Sequence, residues 1–296
     1  MIFLMGTFVN LKMIYEFISE LPDKDAKAEK EALAHQNELT KPPGSLGQLE
    51  KIAIFFAGWQ GVRKPKLEKA QALVFAGNHG VCDQGVNPFP QRVTAEMVAN
   101  FYAGGAAINQ LCLLNDVDLN VIPLSLDKPT ADFTQELALP ETDFFSAMNL
   151  GAEAINLQAD VILLGEMGIG NSTVSAAIAA SLFGGEVTKW VGKGTGSDKK
   201  GVDHKKKIIG KGLKKHGFHS DLRALIAFGG REQAAICGAI LAARAASIPV
   251  ILDGFICTAA ASPLYATHPK SLDHCLIGHL STEPGHIHLL KAMKKS

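Results

Sequence analysis

A carboxylate and a glycine-rich turn lie together in residues 160–180, which read D-V-I-L-L-G-E-M-G-I-G-N-S-T-V-S-A-A-I-A-A. Glu166 is of a type that accepts protons in catalysis. Gly168 and Gly170 let the backbone approach a ligand closely, and Ser172 can cap the alanine-rich helix that follows. Because the first N–H groups of a helix attract anions, the stretch predicts a phosphate site beside an acid.

Two nucleotide-binding motifs are nearly present in the same stretch. A P-loop needs a lysine where Asn171 stands, so a triphosphate lacks its main cation here. The dinucleotide fingerprint needs a third glycine where Thr173 stands, which disfavours an NAD-dependent dehydrogenase. Glu166 also repels a polyanion and favours a ligand with one phosphate and a cationic or proton-donating group. The alternative is an ordinary glycine-rich turn with Glu166 in solvent.

A second glycine-rich loop, W-V-G-K-G-T-G-S-D, occupies residues 190–198 and carries a hydroxyl at Thr195. Nine lysines follow within residues 193–215. Charge runs of this kind are usually a solvated helix surface. One or two of these lysines remain candidates for contact with a phosphate.

Short apolar runs between glycine-rich turns and alanine-rich helices indicate strands of a parallel sheet. We expect strands at residues 72–75, 117–123, 161–164, 225–228 and 249–253. Repeated strand–helix units predict an α/β fold, with a mostly parallel sheet and helices on both faces. His79 and Gln91 follow the first of these strands, where such a sheet opens a crevice at its carboxyl edge.

The composition favours a small-molecule partner. The 296 residues carry 29 Lys+Arg and 29 Asp+Glu, so no net charge attracts nucleic acid or an anionic membrane. Five widely spaced cysteines predict reduced core residues of a cytoplasmic protein. No H-E-x-x-H or paired C-x-x-C motif occurs, so we expect no metal site. The apolar residues 1–9 are too short to span a bilayer and are interpreted as an extension before a start near Met13.

Several motifs, taken in order, resemble one family. They are K-P-P-G-S-L-G-Q-L-E, F-A-G-N-H-G-V, F-P-Q-R-V-T with G-G-A-A-I, G-E-M-G-I-G-N-S-T, V-G-K-G-T-G, G-G-R-E-Q-A-A-I-C-G-A, D-G-F-I-C-T-A-A-A and S-T-E-P-G-H. The set is similar to that of the nicotinate-nucleotide:dimethylbenzimidazole phosphoribosyltransferases and runs from about residue 39 to residue 290.

The resemblance implies transfer of a phosphoribosyl group from nicotinate mononucleotide to 5,6-dimethylbenzimidazole or a related azole, in cobalamin biosynthesis. It also implies a cofactor-independent homodimer. Each chain would have a Rossmann-like nucleotide- and base-binding domain over residues 69–296 and a small helical domain from the chain ends. Residues 1–68 would form the N-terminal part of that small domain.

The resemblance also implies roles for particular residues. Glu166 and Met167 would lie by the aromatic base, Gln91 would face the benzimidazole, and Lys205 would supply the cation that a P-loop lysine does not. The nucleotide and its phosphate would lie against Gly168, Gly170, Asn171, Ser172, Gly194, Thr195, Gly196 and Ser281.

Two features depart from the family pattern. Asn78 stands where the family usually has aspartate. The chain ends at Ser296, before an L-G-E-G-S-G-A-A-L motif whose glutamate is the family's general base, so we interpret the C-terminus as truncated. Glu166 is then the best remaining carboxylate, and Glu283 is the next, although its motif favours a helix junction. The alternative function is a weakly active or inactive homologue that binds nucleotide or benzimidazole.

Overall fold

A computed structural model describes residues 7–295, and the first six residues of the apolar N-terminal stretch lie outside that range. Within it, five strands form one sheet with every pair parallel, in the order β2-β1-β3-β4-β5. The strands are β1 (Ala70–Ala76), β2 (Val117–Pro123), β3 (Val161–Met167), β4 (Val250–Leu252) and β5 (Cys275–Ile277). The predicted α/β class with a mostly parallel sheet is confirmed.

Helices alternate with the strands and precede the first of them. They are α1 (Leu11–Ser19), α2 (Ala26–Glu38), α3 (Gln48–Gln60), α4 (Arg92–Tyr102), α5 (Ala107–Leu114), α6 (Glu141–Glu153), α7 (Asn171–Phe183), α8 (Lys199–His216), α9 (Arg223–Phe228), α10 (Arg231–Ala245), α11 (Phe255–Thr267) and α12 (Pro284–Ala292). Helices α10 and α11 pack on the central strands, and α4 and α5 lie against the edge strand β2.

One predicted strand is wrong. Residues 225–228 belong to the helix α9, whose residues Ala224 to Phe228 are all buried. A short, wholly buried apolar run has no exposed face, so its periodicity does not distinguish a strand from a helix. The local signal for a helix is Asp221, whose carboxylate accepts a hydrogen bond from the backbone N–H of Arg223 at 2.9 Å.

The apolar stretch Arg92–Leu114 has the length and composition of a membrane-crossing helix. In the structure it breaks at two glycines, Gly104 and Gly105, and Gly104 adopts a positive φ of 75° that glycine tolerates best. The break leaves α4 with 11 residues and α5 with 8. Each is much shorter than the roughly 20 residues that a bilayer requires.

The N-terminal helices are tied to the rest of the chain through α3. The guanidinium of Arg244, on α10, lies 4.3 Å from the ring centroid of Trp59, and the Trp59 ring meets His274 edge to face. A buried arginine stacked on an aromatic face is a strong anchor. The division of the chain into a small helical domain and a larger one at residue 69 stays a prediction.

Helices α6 and α10 approach each other unusually closely because glycines stand at their contact. A Cβ at Gly238 would overlap the carbonyl oxygen of Met148, and one at Gly151 would overlap the carbonyl oxygen of Ala235. The backbones of α6 and α10 therefore pack directly on each other, and this contact fixes the position of α10 against the sheet.

Substitution of Gly238 by alanine should destabilise the protein, because neither helix backbone can move away without disturbing the core. We expect Gly238→Ala to lower the free energy of unfolding by about 1–3 kcal/mol, as measured by urea denaturation. Gly210 on α8 is the matched control, since a Cβ there meets no atom within 4 Å. Gly210→Ala should stabilise the protein by about 0.5–1 kcal/mol. Equal effects of the two substitutions would contradict the packing described.

Candidate active site

The carboxyl edge of the sheet gathers the polar residues that follow β1, β3 and β4. Ala76 pairs with Met167, and the N–H of Gly77 then donates to the Met167 carbonyl at 3.0 Å. The N–H of Asp253 donates to the Leu164 carbonyl at 3.1 Å. The loops after β1 and β3 therefore begin at the same level, and the loop after β4 begins three residues earlier along β3. All three loops lie at the edge where α/β proteins bind ligands.

The glycine-rich turn after β3 leads directly into α7. Gly170 is the N-cap residue with a φ of 92°, and no side chain caps the helix. The expected capping role of Ser172 is therefore wrong, because the helix begins at Asn171 and Ser172 is its second residue. A Cβ at Gly170 would lie only 2.6 Å from Sγ of Cys82. The turn is held tightly, and the hydroxyl of Ser172 is left available within the first turn of the helix.

Glu166 is half-buried at the end of β3, and the side-chain amide of Asn171 donates a hydrogen bond to its carboxylate. Burial, together with the nearby carboxylates of Glu232 and Asp253, raises the pKa of Glu166 to about 8, although the Asn171 hydrogen bond acts in the opposite direction. Glu166 therefore holds a proton more strongly than an ordinary carboxylate does, and it can exchange that proton near neutral pH.

A cavity of about 500 Å³ opens beside Glu166, between the sheet and the helices α4 and α5. Its lining includes Phe101, Ile108, Gly165, Glu166, Asp253 and His279. A largely apolar cavity with a few polar groups suits a flat aromatic ligand. Another cavity, of about 380 Å³, lies at the amino end of β1 and β2, away from the edge where parallel sheets bind ligands.

Lys205 is a buried cation on α8, with only 3% of its surface exposed. Its Nζ lies 3.5 Å from Oγ of Ser172 and 3.4 Å from the carbonyl oxygen of Lys193. Within residues 7–295, no carboxylate oxygen lies within 4 Å of this Nζ. Burial lowers the pKa of Lys205, and the more distant Glu283 partly offsets that effect. A buried ammonium with only neutral neighbours is well placed to bind an anion.

Gly194 joins Lys205 and Ser172 in one small region. A Cβ on Gly194 would lie 2.7 Å from Oγ of Ser172 and 3.2 Å from Nζ of Lys205, and its φ of 54° also favours glycine. Thr195 and Gly196 are exposed on the outer side of the same loop. The structure therefore brings Ser172, Gly194 and Lys205 together and leaves Thr195 and Gly196 at the rim.

The junction before α12 closes this region from the other side. The carboxylate of Glu283 accepts a hydrogen bond from the N–H of Gly194 at 2.8 Å, and Glu283 is also the N-cap residue of α12. The hydroxyl of Ser281 accepts from the N–H of Glu283 at 3.1 Å. The structure thus confirms Glu283 at a helix junction and places Ser281 beside it.

Gln91 precedes α4, and its side-chain amide donates to the backbone carbonyl of His79 at 3.0 Å. The neighbouring Asn78 is buried, and its amide donates to the carbonyl of Leu126 at 2.9 Å. An ionised aspartate at position 78 has no donor for that bond. Asn78 therefore acts as a structural link between two loops, and Gln91 keeps its amide oxygen for a ligand.

Glu232 is the residue of this region that sequence reasoning missed. It is fully buried in the first turn of α10, with Oε1 3.1 Å from Nε2 of the equally buried His79. The glycine pair Gly229 and Gly230 stands shortly before it, and a Cβ at Gly230 would overlap the Glu232 carboxylate. Such crowding is a property of the fold and is not visible along the chain.

Comparison with known proteins places this arrangement in a family. Residues 21–296 match the family model described as phosphoribosyltransferase. The nicotinate-nucleotide–dimethylbenzimidazole phosphoribosyltransferase of Rhodobacter capsulatus is 56% identical over 275 residues, which cover 93% of this chain and 82% of that protein. Its counterpart in Mesorhizobium japonicum is 51% identical over 276 residues, which cover 93% of this chain and 82% of that protein.

Solved structures agree with the sequence relatives. The crystal structure of CobT from Thermus thermophilus superposes with a TM-score of 0.84 at 36% identity, covering 91% of this chain and 87% of that one. Fold, motifs and overall identity all agree. The resemblance predicted from the motifs is thus confirmed, and the chain belongs to the nicotinate-nucleotide:dimethylbenzimidazole phosphoribosyltransferase family.

Proposed function

We propose that the protein transfers the phosphoribosyl group of nicotinate mononucleotide to 5,6-dimethylbenzimidazole, giving α-ribazole 5′-phosphate and nicotinate in cobalamin biosynthesis. One observation carries the proposal. The first turn of α7 links a proton acceptor to a buried cation, because Asn171 contacts Glu166 and the next residue, Ser172, contacts Lys205. A monophosphate with a reactive ring at its other end matches this spacing of opposite charges.

The phosphate would bind where Ser172, Gly194 and Lys205 converge, with Thr195 and Gly196 closing over it from the rim. A single phosphate suits one buried lysine better than a polyphosphate does. Gly168, Gly170 and Asn171 would lie along the ribose, and Ser281 would approach the nucleotide from the α12 junction.

The azole would bind beside Glu166, in the apolar cavity under α4 and α5. Met167 would contact an aromatic ring, and the free amide oxygen of Gln91 would face the azole. Dimethylbenzimidazole is flat and apolar apart from its two ring nitrogens, as the cavity lining requires. A related azole of similar shape would satisfy the same lining.

In the reaction, one azole nitrogen attacks C1′ of the ribose from the face opposite nicotinate, and the bond from C1′ to the pyridinium nitrogen breaks. Nicotinate departs with the electron pair of that bond, and its ring loses the positive charge. The other azole nitrogen gives its proton to Glu166. No atom is oxidised or reduced in this transfer, so the reaction needs no redox cofactor.

Glu166 also responds to the charge of the donor. The pyridinium ring of nicotinate mononucleotide is positive, so its arrival favours the ionised form of the nearby carboxylate. Donor binding would thus prepare the base, and departure of neutral-ring nicotinate would leave the proton on Glu166.

We further propose that the chain acts in the cytoplasm. Four of its five free cysteines are buried in the core. Burial raises the pKa of the Cys275 thiol to about 12, and thiols of this kind are typical of reducing compartments.

A homodimer is proposed to form through α4 and α5. This surface carries exposed apolar side chains, with Leu113 and Leu114 each 80% exposed and Tyr102 66% exposed. Large apolar patches on a protein surface usually mark an interaction site.

Leu113→Lys together with Leu114→Lys should shift the protein to monomer in analytical ultracentrifugation. Val9→Lys is the control at an isolated apolar position that is 60% exposed. A dimer that survives the double substitution would exclude this surface.

The phosphate site can be tested at Lys205. Lys205→Ala should weaken nicotinate mononucleotide binding by about 1–3 kcal/mol in calorimetry, the range for losing a charge-assisted hydrogen bond. Lys207→Ala, an exposed lysine on the same helix, should leave the affinity unchanged. Nicotinate riboside, which has no phosphate, should bind both variants and the unsubstituted protein alike. An unchanged affinity of Lys205→Ala for the mononucleotide would remove Lys205 from the site.

The proposed reaction is tested by incubating the protein with nicotinate mononucleotide and dimethylbenzimidazole and measuring the rate at which nicotinate is released. Because a base must lose its own proton to accept another, kcat/KM should rise with pH through about 8, the pKa of Glu166. Glu166→Gln should lower kcat by about 10²–10⁴-fold and leave nucleotide affinity nearly intact. Unchanged turnover in this variant would show that another group is the base. Tight binding without any turnover in the unsubstituted protein would favour the binding-protein alternative.

A further inference from the structure

His79 and Glu232 form a fully buried polar contact near the site. Both side chains have no exposed surface, and 3.1 Å separates Nε2 of His79 from Oε1 of Glu232. Apart from that contact, both ring nitrogens and both carboxylate oxygens lack a hydrogen-bond partner among the described residues. Glu232 lies in the first turn of α10, where the helix dipole favours a negative charge.

Keeping such a pair is costly for the fold. Buried contacts between polar or charged side chains contribute little net stability, and an apolar pair of similar size would often be equally or more stable. Hydrogen bonds from neighbouring groups would lower the free-energy cost of burying the two side chains. Within residues 7–295, however, neither side chain has a hydrogen-bond partner apart from the other. A contact of this kind points to a role other than stability.

Three glycines provide the space for the pair. A Cβ at Gly77 or at Gly230 would overlap the carboxylate of Glu232. A Cβ at Gly168 would lie 3.1 Å from Nε2 of His79 and 2.7 Å from the carbonyl oxygen of Gly77. The loop after β1, the glycine turn after β3 and the start of α10 therefore all close around one imidazole and one carboxylate.

The same histidine also fixes the loop that carries Gln91. The backbone carbonyl of His79 accepts the hydrogen bond of the Gln91 amide, and the next residue, Gly80, directs its N–H to the hydroxyl of Thr130 at 3.4 Å. A shift of the His79 ring would thus move Gln91 on one side and the Gly168 turn on the other.

We propose that His79 and Glu232 form a positioning pair for the transfer reaction, which holds the Gly168 turn and Gln91 at the separation that the donor and the azole require. The proposal rests on the phosphoribosyl transfer proposed above. Neither side chain touches a substrate, because both lie behind the glycine backbones. The pair acts through the geometry of the loops and through the charge of Glu232.

The charge has a separate, measurable consequence at Glu166. The titratable groups around Glu166 are Glu232 from α10, Asp253 after β4 and Cys257 from α11. His279, after β5, lines the same cavity as Glu166. The negative charges of Glu232 and Asp253 raise the pKa of Glu166. Replacing Glu232 by a neutral residue removes one of these charges and should make Glu166 ionise at lower pH.

The experiment uses steady-state kinetics of the full chain across pH, with nicotinate mononucleotide and dimethylbenzimidazole as substrates. Glu232→Gln should lower kcat by about 10²-fold, the effect of a small misplacement of reacting groups, with KM for the mononucleotide changed less than about twofold. The acidic limb of its kcat/KM profile should move to lower pH, because that limb reports the base of the free enzyme. Glu153→Gln, at an exposed position on α6, is the control and should leave kcat and the profile unchanged.

A double variant keeps the test decisive if Glu232→Gln fails to fold. His79→Leu with Glu232→Leu removes both partners, so no unpaired charge is buried and the fold should persist in thermal melting. The positioning role predicts that this folded variant also loses about 10²-fold in kcat. The inference would be overturned if the folded double variant had the same kcat as the unsubstituted protein. It would also be overturned if the Glu232→Gln variant were active and the acidic limb of its kcat/KM profile did not move. Either result would leave the proposed function intact. Absence of turnover in the unsubstituted protein would overturn both.

Discussion

The parallel register between β1 and β3 is the constraint on which the site depends. Because Phe75 pairs with Glu166 and Ala76 with Met167, the two strands end at the same level, and the loops that follow them must share one small space. That space accommodates Gly77 beside Gly168 only because both lack a side chain. A shift of one residue in this register would separate the base from the glycine turn and would point every side chain of the strand to the other face of the sheet.

The electrostatics of the edge follow from that crowding. Three carboxylates, those of Glu166, Glu232 and Asp253, lie near one end of the first turn of α7. Burial and the two like charges raise the pKa of Glu166 to about 8. Lys205 lies buried at the other end, with neutral oxygens from Ser172 and Lys193 as its near neighbours. Among residues 7–295, neither Glu166 nor Lys205 has a salt-bridge partner, so the site favours a ligand with an anion at one end and a cationic ring at the other. Nicotinate mononucleotide has this distribution of charge.

Backbone contacts give the site its rigidity. Helix α10 packs against α6 through glycine-to-carbonyl contacts at Gly151 and Gly238, which fixes the helix that carries Glu232 at its start. The same helix is anchored at its other end, where Arg244 donates a hydrogen bond to the carbonyl of Pro22 at 2.7 Å and stacks on Trp59. An element held at both ends can support a buried carboxylate in a defined position, as a site that orients two substrates requires.

The sequence by itself determined the α/β class, four of the five strands, and the motifs that carry the family. These are local or ordered signals: apolar runs, turn residues and motif order are all legible along the chain. Burial removes such signals, so residues 225–228 were predicted as a strand although they belong to α9. The N-cap residue of α7 is Gly170 and not Ser172. Only the tertiary structure decided that Glu232 meets His79, because 153 positions of chain separate the two residues and the glycines around them reveal crowding only once the strands are in register. The chain therefore determined which residues could do chemistry, and packing decided which of them meet.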